Sequence, residues 1–267
     1  MAATAPRPKL RPIALPTEHG GWSFILEPIF LGLFVAGTWA GLLLSIAAFA
    51  TFLIRHPFKL ALKDTQRGKR YPRTDWAIRF AAIYSAVALI TGVLALVITE
   101  HRFLQPLIIA IPLALVQLYF DASNRGRELI PEIFGAGALA AVAPMIALTH
   151  DWQLDAAYAL WGILIARIIT SILYVRARLR LERDEHPDTR LPQIAHIIGL
   201  IGVMGLVFSD LAPVLAIVAL VILLARSLHG LSKWRIPAPQ AKIIGIQEVI
   251  FGILTVLLVG IGYTANL

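Results

Sequence analysis

One arginine, Arg167, lies within the apolar stretch WGILIARIITSILYV, about nine residues from the end of that stretch. A charge at the centre of a membrane helix costs about 2.5 to 3.5 kcal/mol on insertion scales, so it requires an ion partner or an aqueous cavity. Ser171, Tyr174 and Arg178 follow Arg167 at spacings of four, three and four, which places all four on one helical face. The pattern predicts a buried polar stripe that binds an anion, or a structural ion pair.

Three acidic residues in other apolar runs are candidate partners for this arginine: Glu27, Glu132 and Glu248. His19, Ser23 and Glu27 are spaced by four and form a second polar stripe at the start of the first apolar run. Acids in different membrane helices are also the elements of a proton or cation relay. A transporter is therefore an alternative to an anion-binding site.

A basic segment, IRHPFKLALKDTQRGKRYPRTDW, follows the second apolar run. Arg55, Lys59 and Lys63 repeat every four residues, which aligns them on one helical face suited to a phosphate or diphosphate. Gly68 and Pro72 indicate an ordered turn after this face. The alternative is that these cations only set the orientation of the chain in the membrane and contact lipid headgroups.

A second basic segment, YVRARLRLERDEHPDTRLP, continues from the polar stripe of Arg167. Four of its arginines, at 176, 178, 180 and 183, lie before or next to the acids at 182, 184, 185 and 188. Guanidinium groups match phosphate oxygens in geometry. A solvated helix end, in which these charges pair with one another, is the alternative.

The composition requires a membrane environment for these residues. Of the 267 residues, 58% are hydrophobic and 15% charged, and the mean hydropathy is +0.76. Soluble domains carry about 25% charged residues. Apolar runs long enough to cross roughly 30 Å of hydrocarbon recur along the chain, and helices satisfy their own backbone groups there. We therefore expect an all-α polytopic membrane protein.

Nine membrane spans are predicted, with a cytoplasmic segment over residues 1–21 and a single transmembrane domain over 22–263. The spans are 22–37, 38–54, 76–98, 103–120, 129–148, 154–175, 193–209, 211–228 and 243–263. This division places 21 of the 24 Lys and Arg residues on one side, so the N-terminus is expected in the cytoplasm and the C-terminus outside. Because the basic residues lie between apolar runs, the net charge of +8 fits topology and anionic lipid better than nucleic acid.

Several kinds of site are not expected. The chain has no cysteine, which excludes disulfides and thiolate ligands. Its histidines, among them His56, His196 and His229, lack zinc-ligand spacing, so no metal site of that kind is predicted. The first 20 residues contain no apolar core, which argues against a cleavable signal peptide.

The segment LPTEHGGWSFILEPIFLG resembles the opening signature of the YwiC-like family of bacterial membrane proteins. In that family Glu-His-Gly-x-Trp precedes an apolar helix that contains a proline. The segment RHPFKLALKDTQRGKR is similar to the same family. The resemblance implies a multi-pass protein of the bacterial cytoplasmic (inner) membrane and assigns no reaction.

A broader likeness connects the chain to the UbiA-type intramembrane prenyltransferases, a nine-helix superfamily. GKRYPRT, then Tyr119 with Arg125 and Arg127 before PEIFGAGALAAVAP, and finally Tyr174 resemble segments of those enzymes. The likeness implies a UbiA-like bundle that holds an isoprenoid phosphate. The acidic magnesium motifs of the superfamily are largely lost, because Asp64 alone remains in the first and arginines dominate the second. Magnesium is therefore doubtful, and whether the protein is an enzyme stays open.

These observations predict one central cavity, open to the cytoplasmic leaflet, that binds an isoprenoid phosphate or an anionic lipid. A small-solute or proton-coupled transporter and a non-catalytic membrane scaffold are the alternatives. The expected partner is the lipid bilayer, and nucleic acid is not expected. The candidate binding residues are His19, Glu27, Arg55, Lys59, Asp64, Arg70, Tyr119, Arg125, Arg167, Tyr174 and Arg178.

Overall fold

The computed structural model describes residues 10–16, 19–238 and 240–266, and within them the chain forms helices and no strand. The side chain of His19 lies outside the described part. A short 3-10 turn over His101–Leu104 precedes α5. The helices are α1 (Arg11–Ala14), α2 (His19–Val35), α3 (Trp39–Gln66), α4 (Pro72–Ile98), α5 (Gln105–Ala122), α6 (Leu129–Ala140), α7 (Val142–Ala147), α8 (Leu154–Leu181), α9 (Arg190–Phe208), α10 (Val214–Gly230) and α11 (Ala241–Ala265).

By length and composition, seven segments of the described chain are able to cross a membrane, which agrees with a multi-pass protein. Two further apolar helices, Gly21–Val35 and Val214–Gly230, are shorter. The seven are Trp39–Gln66, Pro72–Ile98, His101–Ala122, Leu129–Ala147, Leu154–Leu181, Arg190–Phe208 and Ala241–Ala265. The count of nine crossings and the orientation of the termini stay predictions.

Two helices continue well beyond the predicted ends of their spans. Both α3 and α8 have 28 residues, which at 1.5 Å per residue gives a length of about 42 Å, more than the roughly 30 Å of a hydrocarbon core. The basic segments after the second and sixth spans are therefore largely helical. In α3 the helix ends near Gly68, whose positive φ of 64° suits a residue without a Cβ.

The centre of the bundle is formed by α2 and α8. α2 packs against α11, α7 and α6, and α8 packs against α9, α6 and α10. Apolar side chains of these two helices and of α7 are fully buried, including Ile25, Leu31, Ile146 and Leu160. In contrast, α4 packs mainly against α3 and exposes most of its apolar surface, as expected for a helix that faces lipid.

The small residues of α6 allow neighbouring helices to approach closely, as the run GAGALAA predicts. Trp161 of α8 donates a hydrogen bond to the Gly137 carbonyl at 3.0 Å, and a Cβ on Gly137 would lie 3.2 Å from Ile165. The helix is interrupted after Ala140, where Pro144 has no N–H to continue the hydrogen-bond pattern. The contact between Trp161 and Gly137 fixes α8, and with it Arg167, against α6.

Candidate functional site

Arg167 is buried at the centre of the bundle, and acidic residues of two other helices accompany it. Its Nη2 lies 3.4 Å from Oε1 of Glu27 on α2, and its Nη1 lies 3.3 Å from Oε2 of Glu248 on α11. Its Nη2 also donates to the Glu248 carbonyl at 3.1 Å. The prediction that Arg167 has an acidic partner is confirmed for both residues. The third candidate, Glu132, instead accepts from Arg176 at 2.6 Å.

A second arginine, Arg226 of α10, completes this network and was missed in the sequence. Its Nη1 pairs with Oε1 of Glu248, and its guanidinium lies 4.2 Å from the centre of the Tyr174 ring. The predicted span 211–228 contains Arg226, but sequence reasoning counted this residue with the basic residues of the following loop, which set topology. The apolar run VLAIVALVILLARSLHG includes Arg226 without a helix breaker, and this was the signal that it is a second charge within a membrane helix.

Glu27, Arg167, Arg226 and Glu248, here called the buried ion network, connect four helices. Two guanidiniums and two carboxylates balance in charge, which is the condition for burying ions in a medium of low dielectric constant. The exposed fraction of the Arg167 side chain is 3% and that of Arg226 is 6%. Both guanidinium groups are therefore almost inaccessible to solvent.

Further along the predicted polar stripe of α8, Arg178 has a structural role. It donates to the carbonyls of Gly230, at 2.8 Å, and of Ile236, and it pairs with Glu182 at 3.0 Å. Glu182 in turn accepts from the Ala238 amide at 2.9 Å. These bonds attach the segment between α10 and α11 to the end of α8.

A separate group of charges lies where α3 approaches the loop between α5 and α6. Arg55 contacts Oδ2 of Asp121 through Nε at 2.7 Å and Nη2 at 2.5 Å, and Lys59 contacts Oδ1 at 3.3 Å. Asp121 is largely buried, whereas both cations are partly exposed. The surrounding depression, here called the basic cleft, has a volume of about 380 Å³. It is lined by Arg55, Lys59, Asp121, Asn124, Arg125, Gly126, Arg127 and Glu128.

The loop side of the basic cleft is held by Arg125 and Glu128. Arg125 donates to both carboxylate oxygens of Glu128, at 2.6 and 2.9 Å. These hydrogen bonds raise the pKa of Arg125 above its ordinary value, so the guanidinium is charged throughout the physiological pH range. Gly126 fits directly against the Asp121 carboxylate, where a Cβ would clash. A side chain at 126 would therefore disturb the acid that anchors Arg55 and Lys59.

The remaining candidates from the sequence do not join either group. Asp64 is fully buried and accepts from Arg73 at 2.7 and 3.0 Å and from Thr74 at 2.9 Å, which ties the end of α3 to the start of α4. Arg70 forms an exposed pair with Asp75. Tyr119 is 68% exposed on the outer face of α5.

Among the described side chains, Glu27 and Arg167 thus join the buried ion network, and Arg55, Lys59 and Arg125 line the basic cleft. That one cavity holds all of them stays a prediction. Among the described residues, no group of three His, Asp or Glu side chains is arranged to hold a metal ion.

The sequence model of the YwiC-like protein family matches residues 15–147. Over this half, the chain belongs to the YwiC-like family. No curated protein and no solved structure matches the chain. The basic cleft lies entirely within the YwiC-like half, from Arg55 to Glu128. Of the buried ion network only Glu27 belongs to it, so the network joins the YwiC-like half to the rest of the chain.

Proposed function

We propose that this YwiC-like protein binds the phosphate of an amphipathic lipid, either an isoprenoid phosphate or an anionic phospholipid, in the basic cleft. The observation that carries the proposal is the cleft itself, where Arg55, Lys59 and Arg125 accompany two carboxylates, Asp121 and Glu128. Among the described residues, Arg55 and Lys59 share one counter-ion, Asp121. A phosphate group entering here meets more positive than negative charge, and guanidinium groups bind its oxygens in pairs.

The depth of the cleft along α3 supports a lipid ligand. Arg55 and Lys59 lie 16 and 20 residues after Trp39, the first residue of α3, which corresponds to about 24 and 30 Å along the helix. A hydrocarbon core is roughly 30 Å thick. We therefore propose that Trp39 lies at one boundary of the core and that both cations lie near the headgroups at the other. The phosphate of a membrane lipid lies at that level.

Apolar surface for the lipid tail is present on both sides of these cations. Leu115 and Leu118 of α5 are exposed on the outer face of the bundle. An apolar groove of about 300 Å³ lies between α3 and α4, on the neighbouring face of α3. It is lined by Phe58, Ala61, Leu62, Thr65, Ile78 and Ala81.

The proposal includes the membrane arrangement inferred from the sequence: nine crossings in a prenyltransferase-like bundle of the bacterial cytoplasmic membrane, with the N-terminus in the cytoplasm. It concerns binding and does not include a catalytic step. The described part of the cleft provides one buried carboxylate, Asp121, whereas magnesium-dependent prenyl transfer uses several.

Native mass spectrometry on the detergent-purified protein tests the proposal. The double variant Arg55→Gln/Lys59→Gln is compared with wild type after addition of a prenyl phosphate or of phosphatidylglycerol. We expect bound lipid on the wild type and loss of most of it on the variant. Lys63→Gln/Arg70→Gln, which removes two exposed cations outside the cleft, is the matched control. Equal lipid retention by all three proteins would contradict the proposal.

Transport of a small polar solute is a second candidate, favoured by the buried ion network. Charged groups from α2, α8, α10 and α11 meet there, and ions inside membrane helices commonly mark transport pathways. Proteoliposomes in which solute flux is lost on Glu27→Gln, but kept on Arg55→Gln, would favour this function over lipid binding.

A further inference from the structure

Close to the buried ion network, several buried polar atoms have no hydrogen-bond partner among the described residues. They are Arg167 Nε, Ser171 Oγ, His196 Nε2, Arg226 Nε and Nη2, and Ser227 Oγ. Buried polar groups are nearly always satisfied, and each unsatisfied one destabilises the folded state. Such a concentration of unpartnered atoms indicates that something else completes their hydrogen bonds.

Helix register places the two serines at the same level. Gly230 of α10 lies against Tyr174 of α8, because a Cβ on the glycine would clash with the tyrosine hydroxyl. α8 and α10 run in the same direction, since α9 returns between them and packs against both. Ser171 and Ser227 each lie three residues before this contact, so both occupy the next turn down.

The imidazole of His196 reaches the same level from α9. Gly199 lies against α8, with a Cβ position 3.4 Å from Ala166 and 3.6 Å from Thr170. α9 runs antiparallel to α8. His196 lies one turn before Gly199 on α9, so it is level with the residues of α8 one turn after the Gly199 contact, where Ser171 lies. His196 is fully buried and lies within the electrostatic reach of the buried ion network.

Arg226 offers this cluster the edge of its guanidinium that suits an oxyanion. Its Nη1 is taken by Glu248, and its flat faces are covered by the rings of Tyr174 and Phe251, at 4.2 and 5.1 Å. The two unpartnered atoms, Nε and Nη2, are neighbours on one edge and form the side-on fork that binds two oxygens of one anion.

His196 adds a requirement for a proton on the ligand. Its Nδ1 lies 2.7 Å from the Pro192 carbonyl oxygen, which only accepts hydrogen bonds, so Nδ1 carries the ring proton. In the neutral ring Nε2 is then an acceptor. A group that satisfies Nε2 must donate an O–H or N–H, while a group that satisfies the Arg226 fork must accept.

The charge balance around the cluster favours a single negative charge. A second ion group, formed by Arg178, Glu182 and Arg235, lies at the end of α8 beside the buried ion network. Together the two groups comprise four arginines and three glutamates, a formal charge of +1. A monoanion would bring the set to neutrality.

We propose that Ser171, His196, Arg226 and Ser227 form a second binding site, distinct from the basic cleft, for a small singly charged oxyanion that retains a hydroxyl group. Bicarbonate and dihydrogen phosphate have this chemistry. The Arg226 fork binds two oxygens, the serines donate to the oxyanion, and the ligand hydroxyl donates to Nε2 of His196. The site does not depend on lipid binding in the cleft, and it supplies a class of solute for the transport candidate.

The test measures thermal unfolding of the full-length protein in detergent during titration with sodium bicarbonate, phosphate or nitrate at constant ionic strength. Nitrate is planar and singly charged like bicarbonate but has no proton to donate. We expect saturable stabilisation by bicarbonate or by phosphate, the two separate titrations identifying which, and binding of nitrate weaker by roughly tenfold.

Variants locate the binding. Ser171→Ala/Ser227→Ala is expected to weaken binding by roughly tenfold or more, because two hydrogen bonds are lost. Ser209→Ala/Ser232→Ala, at exposed serines, leaves it unchanged. His196→Phe abolishes the preference over nitrate; if that variant does not fold, the serine pair decides alone.

Three results would overturn the proposal: no saturable effect of either protonated anion, equal binding of nitrate by the wild type, or unchanged binding in the serine double variant. The first would mean that water alone satisfies the cluster. Binding that is lost instead in Arg55→Gln/Lys59→Gln would assign the anion to the basic cleft and equally overturn the second site.

Discussion

Replacing Glu248 by glutamine removes the one carboxylate that both buried arginines share. Arg226 has no other ion-pair partner among the described residues, and Arg167 is left with Glu27 at 3.4 Å. Both guanidiniums are over nine-tenths buried, so the cost follows the value for breaking a buried pair, about 3 to 5 kcal/mol. At about 2 to 4 °C per kcal/mol for chains approaching this size, we expect the melting temperature to fall by about 6 to 20 °C.

The assay is thermal unfolding in detergent or nanodiscs, followed by the fluorescence of the six tryptophans. Glu27→Gln should cost less than Glu248→Gln, because Glu27 makes one ion-pair contact with the arginines and Glu248 makes two. Glu185→Gln, at an exposed pair with Arg180, is the control and should cost no more than about 1 kcal/mol.

A double variant tests whether charge balance is the cause. Glu248→Gln/Arg226→Gln leaves Arg167 opposite Glu27, one cation with one anion, so it should be more stable than Glu248→Gln alone. Charge balance in the network does not stabilise the bundle if Glu248→Gln has the same melting temperature as the Glu185→Gln control. The same holds if the loss of stability in the double variant equals the sum of the losses in the two single variants.

Three further outcomes are expected. Asp64→Asn should lower thermal stability by about 1 to 3 kcal/mol and increase proteolysis in the turn at 67–70, since the carboxylate that accepts from the partly exposed Arg73 and from Thr74 no longer joins α3 to α4. Gly252→Ala should reduce the melting temperature at least as much as Glu27→Gln, because the added Cβ clashes with the Glu27 carboxylate. In the cysteine-free chain, cysteines placed at Lys233 and at Arg102 should react with impermeant thiol reagents from opposite sides of the membrane.

Matched variants separate these effects from general damage. Asp75→Asn, at the exposed pair with Arg70, should leave stability nearly unchanged. Gly245→Ala, with open space around its Cβ position on the same helix as Gly252, should be neutral or slightly stabilising. Equal losses at the two glycines would contradict the packing of Glu27 against α11, and labelling of both cysteines from one side would contradict the predicted topology.

The lengths of α3 and α8 show how far pattern reasoning extends. Apolar periodicity located the membrane part of each helix, because lipid exposure demands apolar side chains there. The predicted spans end at 54 and 175, and the helices continue to Gln66 and Leu181. Hydropathy does not report on helix beyond the apolar part, and α3 continues through Pro57.

The sequence by itself determined that this chain is a helical membrane protein, that Arg167 needs an acidic partner, and that a basic face follows the second span. These follow from local physics, namely the cost of exposing backbone and charge to hydrocarbon. The match to the YwiC-like family over residues 15–147 is also a property of the sequence.

Only the tertiary structure decided which charges meet. Asp121 neutralises Arg55 and Lys59, and Arg226 joins Arg167 through Glu248. Asp121 lies 66 residues from Arg55, and Glu248 lies 81 residues from Arg167. A helical spacing reports the face on which a residue lies but not the helix that packs against that face. Because a buried charge is stabilised by its nearest opposite charge, the division into a buried network and a basic cleft depends on the packing of the bundle.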